Sequence, residues 1–176
     1  MTTPRRRAPA PRVRFGRAVL ALALAAAAAP ALAQHAEDEA PPPMLKTGEV
    51  VAPFDARGVD GVLKKIAFTG KNPTVLLFFL SGCPTCHKMI PEWNRAFQRK
   101  PPGLQVIGVL MDQEPPNFFV TTPIAFPVVR SPGRDFLLKL KVSRAPLMLR
   151  VGQGGKVEDV AMGYTDPIRV GEVFRP

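Results

Sequence analysis

The sequence predicts an α/β fold, a mixed sheet flanked by helices, and three stretches carry that expectation. Residues 75–80, Val-Leu-Leu-Phe-Phe-Leu, form an unbroken apolar run of strand length, which suits a central strand covered on both faces. After a short turn, Met89, Ile90, Trp93, Ala96 and Phe97 recur at three- and four-residue spacing, the stripe of a helix with one buried face. Residues 147–151 and 156–162 are two further strand-like runs, and the Gly152-Gln153-Gly154-Gly155 between them has the composition of a hairpin loop.

Taken in order, the chain opens with an address. Arg5, Arg6, Arg7, Arg12, Arg14 and Arg17 make a positive start, residues 18–29 an apolar run, and Ala31-Leu32-Ala33 a small-residue cleavage site, the three parts of a secretory signal peptide over residues 1–33. The apolar run is shorter than the roughly 20 residues a membrane-spanning helix needs, and Pro30 closes it. Cleavage after Ala33 removes six arginines and no acid, so the formal charge falls from +10 to +4. The remaining lysines and arginines are scattered without a basic stripe, so no nucleic-acid partner is expected. Residues 34–45 combine Glu37, Asp38 and Glu39 with Pro41-Pro42-Pro43 and read as a flexible acidic, proline-rich spacer before a domain over residues 46–176.

Within that domain the strand at 75–80 starts after Asn72-Pro73 and hands over through Ser81-Gly82 to a helix that begins at Pro84. The helix ends near Lys100, before Pro101-Pro102-Gly103, and Pro91 inside it removes one backbone hydrogen bond and is expected to kink it. Residues 104–111 form a second apolar strand, parallel to the first by a right-handed crossover. Residues 112–127, rich in proline and aromatics, form a connection that holds one short helix. Phe136, Leu137, Leu138 and Leu140 mark a short amphipathic helix. The two strands at 147–151 and 156–162 pair antiparallel, and Asp166-Pro167 supplies the cap and first turn of a last brief helix.

The chemistry is carried by two cysteines, too few for the multi-bridge framework of a small secreted scaffold. Cys83-Pro84-Thr85-Cys86 stands where a buried strand meets a helix. Cys83 falls at the helix N-terminus, where unpaired amides and the helix dipole favour a thiolate, the attacking species in disulfide exchange. Cys86 falls on the face of Met89, Ile90 and Trp93 and is expected to be the buried partner that resolves a mixed disulfide. His87 and Lys88 add positive potential if their side chains turn toward the sulfurs; the plainer expectation for Lys88 is an exposed position.

The strand, the Cys83-Pro84-Thr85-Cys86 turn, Pro91 one turn further on, and Ala145-Pro146 before a strand together resemble the TlpA/ResA-like branch of the thioredoxin superfamily, over most of the chain from about Gly48. The resemblance implies a thioredoxin-like fold and an exported, periplasmic thiol-disulfide oxidoreductase that exchanges disulfides with protein substrates through Cys83 and Cys86. It implies that Pro146 is a cis-proline against the pair and that Ala145 offers its backbone to a substrate segment. It leans toward the reducing direction, with electrons supplied by a membrane protein. Thr85, where a histidine would hold the thiolate, agrees with that direction, and Pro84, Thr85 and His87 are the residues expected to modulate the pair.

Three features depart from that family. Gly82 replaces the tryptophan thioredoxins usually carry before the first cysteine, leaving the site more open. Met89 stands where many members of the branch have an acid three residues after the second cysteine. The C-terminal helix is short.

Other readings stay open on the residues alone. Cys83-Pro84-Thr85-Cys86-His87 also fits a c-type haem attachment pattern, with His87 as axial ligand and Met111, Met148 or Met162 opposite. The dithiol with His87, or with His35 of the spacer, is the start of a zinc or copper site, although the ligand set is thin. A purely structural bridge would close so small a loop that it adds little stability. Met89, Trp93 and Phe97 read as core and call for no cofactor.

Overall fold

The computed structural model describes residues 44–176; the signal peptide, its cleavage site near Ala33, His35 and nearly all of the spacer lie outside the described residues. The order of elements is β1 (Phe54–Gly58), β2 (Leu63–Ile66), β3 (Thr74–Phe79), α1 (Pro84–Gln98), β4 (Gln105–Leu110), α2 (Phe118–Thr121), β5 (Val128–Arg130), α3 (Arg134–Lys139), β6 (Leu147–Val151), β7 (Val157–Met162) and α4 (Pro167–Val173). The strands form one mixed sheet in the order β2-β1-β5-β4-β3-β6-β7.

β3 is wholly buried, as its continuous apolar run requires, and lies between β4 and β6. It is parallel to β4, with Phe79 opposite Leu110, and β4 is parallel to β5. β6 runs antiparallel to β3 and β7 antiparallel to β6, so the predicted crossover and hairpin meet on the two sides of one strand. The edge hairpin of β1 and β2 and the three-residue β5 were not legible in the sequence. β2 reads Leu-Lys-Lys-Ile with only Ile66 buried, and β5 is three residues long, directly after the proline-rich connection.

Alternation along β3 divides the core. Val75, Leu77 and Phe79 face α1 and α4, meeting Met89, Ile90, Trp93, Val170 and Val173, while Leu76 and Phe78 face the opposite layer with Leu140, Val142, Leu147 and Leu149. Helix α4, short as the sequence indicated, still covers its part of the sheet with Val170, Val173 and Phe174 buried. Leu45, grouped with the spacer by its neighbours in the sequence, is buried in the second layer, so the packed domain starts at least one residue earlier than expected.

The amino end of the β7 edge is met by residues 48–51. The Gly48 amide donates to the Val157 carbonyl and the Val51 amide to the Gly155 carbonyl, each at 2.8 Å. Gly155 has φ +85 and presses so closely on Val51 that an added Cβ would collide with the Val51 carbonyl oxygen. Both the backbone conformation and the space demand glycine there.

Candidate active site

The carboxyl end of β3 delivers the chain through Leu80, Ser81 and Gly82 to Cys83, which caps α1 with extended backbone (φ −88, ψ 114). Pro84 follows as the first helical residue, where its missing N–H is not needed. The Cys86 amide donates to the Cys83 sulfur at 3.2 Å, using one of the free N–H groups of the first turn. An amide aimed at sulfur is a donor that a thiolate accepts readily.

The two thiols differ in environment. Cys83 is half-buried and Cys86 has no exposed surface, packed with Met89, Ile90 and Trp93 on the inner face of α1. Burial, reinforced by its contact with Cys83, pushes the Cys86 thiol up to about 12. The arrangement is an approachable sulfur in front and a withheld one three residues behind it.

On the other side of Cys83 lies the start of β6. The Ala145–Pro146 peptide is cis, and the Ala145 carbonyl oxygen is 4.0 Å from the Cys83 sulfur. Pro146 is buried and its carbonyl accepts from the Gly163 amide at 2.8 Å, which ties the β7–α4 connection to the same place. The structure thus brings Cys83, Cys86, Ala145 and Pro146 together. Pro84 is exposed and Thr85 half-buried on the outer rim. Gly82 is exposed, with nothing within 4 Å of where its side chain would be, so this flank is open as its sequence suggested.

His87 is turned toward the turn that precedes the pair: its Nε2 donates to the Ser81 carbonyl at 2.7 Å, and its ring meets Phe118 edge-on with centroids 6.0 Å apart. That commits the nitrogen a haem iron would need, while Cys86 is enclosed in the core; the haem alternative loses its geometric support. Lys88 is an exposed helical position. Among the described residues no three of His, Cys, Asp and Glu gather as a metal site would require.

One participant was missed in the sequence. Asp112, just past β4, accepts from the Ser81 amide at 2.9 and 3.1 Å and from the Ser81 hydroxyl at 2.8 Å. Its signal was present: β3 and β4 are parallel apolar runs, so residues just beyond their carboxyl ends must meet.

A mixed sheet with a cysteine pair at the end of its central parallel strand, facing a cis-proline, defines the thioredoxin-like class of oxidoreductases. Residues 50–171 match the Redoxin family model. The chain belongs to the Redoxin family.

Solved structures with the same fold include StoA from Bacillus subtilis, at 18% identity and a TM-score of 0.61 over 71% of this chain and 98% of that one. The exposed lipoprotein thioredoxin Etrx1 of Streptococcus pneumoniae matches at 18% and 0.61 over 70% and 98%. The thioredoxin domain of thiol-disulfide oxidoreductase BVU-2223 from Bacteroides vulgatus matches at 20% and 0.60 over 75% and 99%. A comparison with curated protein sequences finds no match.

Proposed function

We propose that this protein is an exported thiol-disulfide oxidoreductase that reduces disulfides in protein substrates through Cys83 and Cys86. The observation that carries the reading is the asymmetry of the pair: an approachable sulfur at the N-terminus of α1 and a fully buried one behind it, with the Cys86 amide joining them at 3.2 Å. Cys83 as thiolate attacks one sulfur of the substrate disulfide; a mixed disulfide forms and the other substrate sulfur leaves as a thiolate that takes up a proton. Cys86 then loses its proton and attacks the Cys83 sulfur, forming the Cys83–Cys86 disulfide and releasing the second substrate thiol. Two electrons have passed to the substrate.

Ala145 and Pro146 stand where a substrate segment would pass, with the Ala145 carbonyl beside the attacking sulfur. Pro84, Thr85 and His87 act on the pair rather than in it: Pro84 starts the helix, Thr85 forms the rim and His87 fixes Ser81. Returning the protein to its dithiol form requires an electron donor, which we take to be a membrane protein on the outer side of the cytoplasmic membrane.

Export rests on the signal-peptide pattern of residues 1–33, with release into the periplasm after cleavage near Ala33. The likeness to an exposed lipoprotein thioredoxin supports that compartment.

The test is a pair of variants mixed with an oxidised protein substrate. Cys83→Ser should lose exchange, and Cys86→Ser should accumulate the mixed disulfide because nothing resolves it. Full exchange by Cys83→Ser would remove the basis of the mechanism.

A further inference from the structure

The negative charge beside the cysteine pair is not cancelled. Asp112 is half-buried and makes its three hydrogen bonds to Ser81, a residue 6% exposed and only two positions before Cys83. Among the described residues no lysine or arginine forms an ion pair with it: Arg130, which lines the same surface hollow, is engaged by Glu114 through Nε at 3.0 Å, and the His87 ring is committed to the Ser81 carbonyl. Ser81 is therefore held from two sides, by the Asp112 carboxylate on its N–H and hydroxyl and by His87 on its carbonyl, and the carboxylate keeps a fixed place relative to the sulfurs.

We propose that Asp112 poises the cysteine pair toward the disulfide, making the dithiol the form that gives electrons away. This inference rests on the exchange reading above and adds to it the residue that sets the direction. The physical ground is that a carboxylate close by raises the free energy of a reduced pair in which a sulfur carries negative charge. The neutral disulfide carries none and is unaffected. With Cys83 as thiolate, the pair passes two electrons to the substrate disulfide and releases the single proton of Cys86, the substrate sulfurs take up that proton and one from solvent, and the repulsion is gone. The raised Cys86 thiol is consistent with this: after burial and the contact with Cys83, the Asp112 charge is among the influences that push it up. Asp112 acts through its place on Ser81 and its charge, and is a positioning residue that touches neither sulfur by any hydrogen bond in the structure.

Two variants of the mature chain separate charge from packing. Asp112→Asn keeps an acceptor for the Ser81 amide and loses the charge; Ser81→Ala loses one hydrogen bond and keeps the charge. The reduction potential of each is read in a glutathione series from the fluorescence of Trp93. Asp112→Asn should shift the equilibrium toward the dithiol about tenfold, a potential about 30 mV less negative, and Ser81→Ala should shift it much less. An Asp112→Asn protein with the wild-type potential overturns the proposal, as does Ser81→Ala moving as far as Asp112→Asn. If Asp112→Asn does not fold, Asp112→Ser, also uncharged, takes its place under the same criteria. A wild-type protein that fails to titrate reversibly overturns the exchange reading itself.

Discussion

In the free dithiol form of the folded protein burial holds the proton on Cys86 well above the usual thiol range, and this has a consequence for stability. Its folded thiol titrates at about 12 against an ordinary 9.0, so the folded state holds the proton more tightly than the unfolded chain. The contribution is complete below about pH 9 and is lost as the pH rises toward 12, because over that window the unfolded thiol ionises first. Urea unfolding of the reduced protein at pH 7 and pH 10 should show a fall at pH 10 that is smaller in Cys86→Ala, the difference isolating this thiol from lysines and tyrosine. Equal falls in the two proteins would mean that Cys86 is not withheld as described.

At the same scale, the two cysteines stood out by their spacing at the end of an apolar run, whereas Ala145 and Pro146 were expected only through the family resemblance. Asp112 was overlooked because no local pattern marks it: it meets Ser81 across 31 positions of chain, and only following the parallel pairing of β3 and β4 to their carboxyl ends would have found it.

Among the elements, α1 was the most legible. Its apolar spacing survives Pro91, the helix runs unbroken from Pro84 to Gln98, and the buried residues are Cys86, Met89, Ile90 and Trp93. Trp93 Nε1 lies 3.1 Å from the Met148 sulfur, so the indole spans from α1 to β6 close behind the pair. The elements that escaped notice are those whose residues are half-exposed or few: β1 and β2 carry Asp55, Arg57, Lys64 and Lys65 on the outer edge, and β5 has three residues. Their pairing is decided by the sheet they join rather than by their own periodicity.

Helix α4 depends on its cap. The Asp166 carboxylate accepts from the Ile168 and Arg169 amides at 2.9 and 3.0 Å, and Pro167 fixes the first turn. For a helix of seven residues the cap matters more than propensity. Asp166→Ala should cost about 1 kcal/mol in chemical denaturation. Because α4 follows directly on the Gly163–Pro146 bond, the same variant should slow exchange with a protein substrate more than reduction by a small thiol; an unchanged denaturation midpoint would show the cap to be dispensable.

For the molecule as a whole, the sheet order explains why the site is where it is. β3 has neighbours of both directions: β4 lies parallel on one side and β6 antiparallel on the other. The carboxyl end of β3 therefore meets the amino end of β6, which sets Cys83 against Ala145 and Pro146, while the carboxyl end of β4 brings Asp112 to Ser81 from the opposite side. One crossover and one hairpin around a buried strand bring Ser81, Cys83, Asp112, Ala145 and Pro146 to one place from more than sixty residues of sequence.

The central claim is that Cys83 and Cys86 form a reversible two-electron couple on the reducing side. The reduction potential of the mature wild-type protein, followed by Trp93 fluorescence across a glutathione series, tests it most directly. A potential below about −220 mV is the result this account expects of a reductant, whereas a value near about −120 mV, that of a strong oxidant, would contradict it.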